Sequence, residues 1–330
     1  MKRFTQLSVN RPLEWHEREC HLPQSQPSPV TLAWPQLSVI QMNSTFLECV
    51  DYYFDRKGIV TIFSLIMFSM TTYFVLIFLS LMIEKWNEVS GSDFLPMLLA
   101  FGFVILLFGS LAIFSFYLLR FESFNYTHYP MRFNRKTQMV HVFIPWEKGR
   151  YFSMPWKDAF FCHTSKGHDS EFAILGHQLS ENKQTVLDSF LFAHSCSWDS
   201  PYRFTQWEFV RQYMEGDDKK VGDLAGLVFE VMDVANRRET PYASLRRMYL
   251  NFGAGQGLIP TLFALAFSPF IIGFVIGRQF AVRTSKIPRW SAEIEATCHF
   301  PPNDPNLRDG KHLSDRREIP IPDVSRYVRK

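Results

Sequence analysis

The chain has 330 residues, of which 20 % are charged, and a net charge of +3, too small a basic excess to argue for nucleic acid as a partner. Its mean hydropathy of −0.08 averages two unlike parts, long apolar runs and stretches of ordinary soluble composition. Five cysteines (Cys20, Cys49, Cys162, Cys196 and Cys298) are scattered without a CxxC or Cys-His spacing, so they suggest no zinc motif, and reduced thiols are expected.

Residues 1–57 are polar and carry Pro12, Pro23, Pro27, Pro29 and Pro35, which predicts an extended, partly disordered cytoplasmic tail. They lack the basic start, apolar core and small-residue cleavage site of a signal peptide.

From Gly58 to Ile83 there is no Asp, Glu, Lys, Arg or His. About 20 such residues cross a hydrocarbon core of about 30 Å as a helix, whereas a helix buried in a soluble core rarely stays apolar beyond about 14. A second run, residues 96–119, follows after the short linker Glu84–Asp93. Residues 58–119 therefore read as a transmembrane hairpin. Ser64, Ser69, Thr71, Thr72, Gly102, Gly109 and Ser110 are small enough for close helix packing. Neither span contains a charged residue, which argues against an ion or proton path. Arg56 and Lys57 precede the hairpin and Arg120, Arg132, Arg135 and Lys136 follow it, while the linker sets Lys85 against Glu84, Glu88 and Asp93. By the positive-inside rule the N-terminus and everything after Leu119 are cytoplasmic, and Trp86 sits where an interfacial anchor belongs.

Between residues 120 and 257 the pattern changes to short runs rich in Val, Ile, Phe and Tyr, separated by turn material such as NRKT and LSENK. This predicts an antiparallel β-meander. Helical spacing then takes over, with Trp207, Val210, Arg211 and Met214 on one helix and Leu224, Leu227, Val228, Val231 and Val234 on another. The fold class expected is thus an integral membrane α-helical hairpin plus an α+β soluble domain closed by helices.

A third apolar run, residues 258–277, is long enough for one crossing, and its length and apolarity favour that. Basic residues on both flanks, and Pro269 dividing it into halves too short to span alone, favour a re-entrant or interfacial hairpin instead. Both remain open. Residues 278–330 read as a basic tail with a short helix around Trp290, Ile294 and Thr297.

Few residues suggest chemistry. His163, His168, His177 and His194 crowd the meander, yet their spacing follows no common ligand pattern and no acidic residue is co-spaced, so edge and turn histidines are the expectation and metal is not. Cys162 and His163, adjacent on a strand, point to opposite faces and cannot act as nucleophile and base. Ser195–Asp199 reads as a loop entering a helix. The glycines of residues 253–257 lack the preceding strand and following Lys-Ser/Thr of a phosphate loop. No catalytic, cofactor-binding or metal residue is assigned, and no enzyme is expected. For partner binding the candidates are Trp86, Trp290, Glu293 and Glu295, aromatic anchors beside charge. Arg132, Arg135, Lys136 and Lys148 form a candidate patch for lipid head groups.

Two resemblances add to this reading. Arg132–Arg135 (RFNR) and Pro155–Asp158 (PWKD), within a meander carried behind a membrane hairpin, look like the pleckstrin-homology-like domains of bacterial membrane proteins. There the proline would end a strand, the tryptophan cover the sheet edge and the acidic residue cap the next amides. Further, YPMRFNRKTQMVHVF (residues 129–143), MPWKDAFF (154–161) and IGRQFAVRTSKIPRWSAEIEATCHFPPNDP (276–305) resemble an uncharacterised bacterial inner-membrane family encoded beside type VI secretion clusters. That resemblance implies a multi-pass inner-membrane immunity protein that binds a cognate effector directly. The alternative is a membrane-anchored adaptor of the secretion machine, or a binder of lipid head groups.

Overall fold

A computed structural model describes residues 7–86, 88, 89, 91–144, 149–163, 173–192, 202–252, 257–310, 327 and 328. The chain divides into two compact units, one of Met1–Asp55, Thr127–Arg238 and Ile287–Lys330, the other of Arg56–Tyr126 and Glu239–Lys286. Its strands are β1 (Arg11–Pro12), β2 (Val39–Met42), β3 (Phe46–Cys49), β4 (Met131–Asn134), β5 (Met139–Phe143), β6 (Tyr151–Pro155), β7 (Ala159–His163), β8 (Ile174–Leu179) and β9 (Thr185–Phe192). The first helices are α1 (Trp15–Glu19), α2 (Ile59–Lys85), α3 (Phe94–Glu122), α4 (Tyr202–Glu215) and α5 (Asp218–Gly226). They are followed by α6 (Pro241–Asn251), α7 (Leu258–Ala266), α8 (Ser268–Thr284) and α9 (Ala292–Thr297).

All nine described strands belong to the first unit, in two antiparallel sheets of order β2-β3-β4-β5-β6 and β1-β9-β8-β7. The meander expected after residue 129 is present. The extended tail expected over residues 1–57 is not: β2 and β3 complete the larger sheet, and Leu47 pairs with Phe133 and Glu48 with Arg132. The two long apolar helices are thus inserted in the chain between neighbouring strands. The sequence of residues 7–55 conceals this because its apolar residues come in adjacent pairs such as Val39-Ile40 and Phe46-Leu47, too short to show a strand's period of two. Asn43 and Asn134 shape the adjoining turns, each side-chain oxygen accepting two backbone N–H groups just downstream.

One core fills the space between the sheets. Met131, Phe133, Val140 and Val142 face Phe161, Ile174, Phe190 and Phe192, with Trp207, Val210 and Tyr213 of α4 and Val221 and Leu224 of α5 closing it. Trp156 lies in its middle at 1 % exposure, its ring centroid 5.1 Å from Phe161 and 5.9 Å from Trp207. Sequence reasoning set this tryptophan over a sheet edge. It is instead buried, because Trp156–Asp158 forms the short turn that carries the chain from one sheet to the other. Stacked rings contribute about 0.5–1.5 kcal/mol per pair beyond area burial. The helix expected through Val234 stops at Gly226, and the Met232 N–H donates to the Val39 carbonyl at 2.7 Å, covering the free edge of β2.

The second unit is helical. Two helices are long and apolar enough to cross a membrane, Ile59–Lys85 and, with its leading turn, Gly91–Glu122. They pack as a hairpin through Phe74 on Phe108 (5.0 Å) and Phe68 on Phe116 (6.2 Å). Thr71 and Ser115, buried along the hairpin, return their hydroxyls to the carbonyls of Met67 and Leu111. Gly102 and Gly109, expected to mediate packing, face open space. The close approach lies elsewhere: a Cβ at Gly277 of α8 would collide with the Gly58 carbonyl oxygen and stand 2.7 Å from the Ile62 Cβ, and Gly58 itself adopts φ 103°.

The third apolar run is broken. α7 and α8 meet at Phe267 with a bend of 70°, and α8 continues past the apolar residues to Thr284. α6 returns alongside α8, with Tyr249 Oη donating to Ser268 Oγ at 2.7 Å and Gln279 Nε2 donating to Ser244 Oγ at 2.7 Å. A polar end results. Lys57 Nζ donates to the carbonyls of Glu122 (3.1 Å) and Tyr126 (2.8 Å), and Thr61 Oγ1 to Glu122 Oε2 (2.7 Å). Arg278 Nε binds Glu239 Oε2 at 2.7 Å, and the Lys286 N–H donates to the Asn125 carbonyl at 2.8 Å. Every place where the helical unit's chain begins or leaves therefore gathers at this end.

Candidate functional site

Besides the polar end of the helical unit, two clusters of reactive or charged side chains converge among the described residues of the sheet unit. The first lies on the face of the smaller sheet that looks away from the main core. Alternation along β7 sends Phe161 inward and Cys162 outward, so Cys162 joins Leu175 and Leu191 in a satellite cluster. In the register, His177 stands opposite Phe160 and Ser189, which makes Cys162 its diagonal neighbour on the same face. Cys162 Sγ lies 3.7 Å from His177 Nε2, and His177 Nδ1 lies 2.7 Å from Ser189 Oγ. The N-terminal segment covers the pair: Glu17 of α1 puts Oε1 3.3 Å from His177 Nε2. Arg11 clamps the same carboxylate, Nη2 to Oε1 at 2.5 Å and Nη1 to Oε2 at 2.8 Å, and the Glu14 N–H donates to Oε2 at 2.9 Å.

Burial alone would raise the Glu17 carboxyl, but the hydrogen bonds from Arg11 and His177 hold it far below the usual carboxylate range. Burial pushes the Cys162 thiol well above its ordinary range, and the Glu17 charge adds to that. A nucleophilic cysteine needs the opposite shift and access to solvent, whereas Cys162 is 1 % exposed. The trio of Glu17, Cys162 and His177, with donor atoms all within 4.8 Å of one another, has instead the composition of a metal-ligand set. Sequence reasoning set His177 aside for want of an acidic partner. That partner comes from residue 17, inside the presumed tail, and no local spacing could have revealed it.

The second cluster is the seam where α9 lies on the larger sheet. Ile294 and Cys298 pack on Phe46, and Trp290 rests 4.6 Å from the Phe143 ring. Between them Arg132 is buried at 5 % exposure, 4.4 Å from the Phe46 centroid and 5.2 Å from that of Trp290. It binds Glu48 at 2.7 Å and Glu295 at 3.2 Å, and Trp290 Nε1 donates to Glu48 Oε1 at 3.2 Å. His141 adjoins it, Nδ1 2.7 Å from Ser153 Oγ. Burial, aided by the Arg132 charge, lowers its pKa to about 4.

Of the predicted partner-binding residues, Trp290 and Glu295 both contact Arg132, and Glu293 and Glu295 are exposed. Trp86 is 47 % exposed on the α2–α3 loop, its ring 5.2 Å from Phe94. Of the predicted basic patch, Arg132 is buried in the seam and leaves the patch, since a lipid head group cannot reach it. Arg135 is engaged by Asp218 and the Gly216 carbonyl at 2.7 Å each. Lys136 is exposed. His163 stands with its ring 5.5 Å from Phe204. Lys148, His168, His194, Cys196, the Ser195–Asp199 loop and the glycines before residue 257 lie outside the described residues.

These features define an α+β protein with two helices long and apolar enough to cross a membrane. The chain belongs to a family of unknown function, DUF6708, whose model matches residues 108–302. That span includes Cys162, His177 and the whole α9 seam except Phe46 and Glu48. No curated protein and no solved structure matches the chain.

Proposed function

We propose that this chain is an integral inner-membrane protein, anchored by α2 and α3, whose sheet unit works in the cytoplasm by binding another protein and not by catalysis. The observation that carries the reading is the shared polar end of the helical unit. Lys57, Tyr126, Glu239 and Lys286, which mark the chain's four connections to the sheet unit, meet there. Strands that leave one end of a membrane hairpin emerge on one face of the bilayer. Arg56, Arg120, Arg283 and Lys286 flank that end, while the opposite loop holds Lys85 among Glu84, Glu88 and Asp93. The positive-inside rule assigns the basic end to the cytoplasm.

In the same reading α6, α7 and α8 form a re-entrant element and not a third crossing. The ten residues Ser268–Gly277 rise about 15 Å, half of a hydrocarbon core. α6 starts beside Arg278 and carries the chain away from that end, and α8 returns it to the same side.

The partner supported best is a type VI effector, with this protein conferring immunity. That reading rests on the resemblance of residues 129–143, 154–161 and 276–305, and on clusters whose polar groups bind one another. Deleting the gene while the adjacent effector gene stays intact, then competing the strain against its parent, tests it. Survival should fall; unchanged survival overturns the reading.

A further inference from the structure

We propose that Glu17, Cys162 and His177 form a structural zinc site that fastens the N-terminal segment to the smaller sheet. A tetrahedral zinc with Zn–S of about 2.3 Å and Zn–N and Zn–O of about 2.0–2.1 Å sets its ligand atoms about 3.6 Å apart for S···N and about 3.3 Å apart for N···O. The observed separations are 3.7 Å for Cys162 Sγ to His177 Nε2 and 3.3 Å for His177 Nε2 to Glu17 Oε1. A mixed thiolate, imidazole and carboxylate set suits zinc, a borderline-soft ion.

The surroundings have the second layer of contacts that metal ligands need. Binding would take the tautomer in which His177 Nδ1, 2.7 Å from Ser189 Oγ, carries the proton, which leaves the Nε2 lone pair facing Glu17 and Cys162 for the ion. Arg11 and the Glu14 N–H hold the Glu17 carboxylate in place, and the positive charge of Arg11 offsets one of the two anionic ligands. Zinc would displace the Cys162 proton, so a thiol that is inert without metal becomes a thiolate ligand with it. Cys20, partly buried, packs against the same cluster and would supply the fourth ligand.

The test uses the full chain in detergent, dialysed against zinc chloride and then against metal-free buffer, with cobalt(II) as spectroscopic probe. About one zinc per chain should be retained. The cobalt form should show the sulfur-to-metal charge-transfer band of a thiolate ligand and the intense visible bands of four-coordination. Cys162→Ser should weaken the charge-transfer band to no more than a Cys20 contribution, whereas Cys49→Ser and Cys298→Ser keep it whole. Ser189→Ala, which removes only the hydrogen bond to His177, should weaken zinc binding about 10-fold while circular dichroism stays native. Retention below about 0.1 zinc per wild-type chain, or a cobalt spectrum without sulfur charge transfer, overturns the proposal even if a variant fails to fold. Wild-type metal binding in Cys162→Ser overturns it as well.

Discussion

Arg278 of α8 and Glu239, two residues before α6, are buried together, and both Nε and Nη2 of the arginine reach the same carboxylate oxygen at 2.7 Å. Arg278 is 0 % exposed and also donates to the Lys57 carbonyl at 3.3 Å. One side chain therefore binds together the starts of α2 and α6 and the polar half of α8.

Breaking this pair on one side should be costly. Arg278→Met leaves buried Glu239 with Arg247, 4.0 Å away, as its counter-charge, an expected loss of about 3 kcal/mol. Arg278→Met combined with Glu239→Leu should recover only part of that, because it leaves buried Arg247 without its carboxylate neighbour. Unfolding midpoints in detergent compare the three proteins. Equal destabilisation of single and double variants would mean that the ion pair does not orient α8.

The Gly58–Gly277 contact gives a steric counterpart. Gly277→Val places a side chain against the Gly58 carbonyl and Ile62, and should cost at least about 3 kcal/mol or abolish folded expression. Gly273→Ala on the same helix meets nothing within 4 Å and should be neutral or slightly stabilising, as expected for glycine replaced inside a helix. Size-exclusion profiles and thermal midpoints distinguish them.

His141 predicts a pH dependence. Its pKa, held down to about 4 in the fold, lies below the value of about 6.5 of an unfolded chain, so the unfolded state takes up the proton first. The stability contributed by neutral His141 is complete above about pH 6.5 and is lost as pH falls towards 4, in total on the order of 2 kcal/mol. Glu17, whose carboxyl is depressed, loses its contribution only below the ordinary carboxylate range. His141→Leu should therefore flatten the denaturant midpoint between pH 6.5 and 4 and leave the steeper fall at lower pH.

The two tryptophans singled out for partner binding should behave differently. Trp290→Ala empties a place against Phe143 and Arg132 and should destabilise the sheet unit by about 3 kcal/mol. Trp86→Ala, at an exposed loop, should leave stability unchanged within about 0.5 kcal/mol. If Trp86 contacts the effector, survival in the competition assay falls for Trp86→Ala with no change in the amount of folded protein.

Topology can be read by thiol labelling in intact cells. A cysteine at Glu84 should react with a membrane-impermeant reagent, and one at exposed Arg283 only after permeabilisation. Native Cys298, 3 % exposed beneath α9, reports neither side. Labelling of the Arg283 position from outside would make α7–α8 a true third span.

Much of the secondary structure was legible because its determinants are local. Apolar runs of uniform character marked α2 and α3, period-two alternation marked β5, and three- and four-residue spacing marked α4. The failures share a cause. β2 and β3 are four residues each; β3 owes its form to hydrogen bonds with β4, which lies beyond the whole helical insertion, and β2 pairs in turn with β3. The helix ending at Gly226 was overrun in the reading because the alternative partner of Met232, the Val39 carbonyl, is nearly two hundred residues upstream.

The sequence by itself determined the solvent preference of residues 58–119, the sign of charge at each end of that hairpin, and the presence of a β-rich unit, since composition and periodicity act residue by residue. Only the tertiary structure decided that residues 11–55 belong to the sheets, that Arg132 is an internal counter-charge and not a surface one, and that Glu17, Cys162 and His177 meet. Such meetings depend on strand register and on a segment folding back over a face, and register is set by the sum of many distant pairings that no short window of sequence contains.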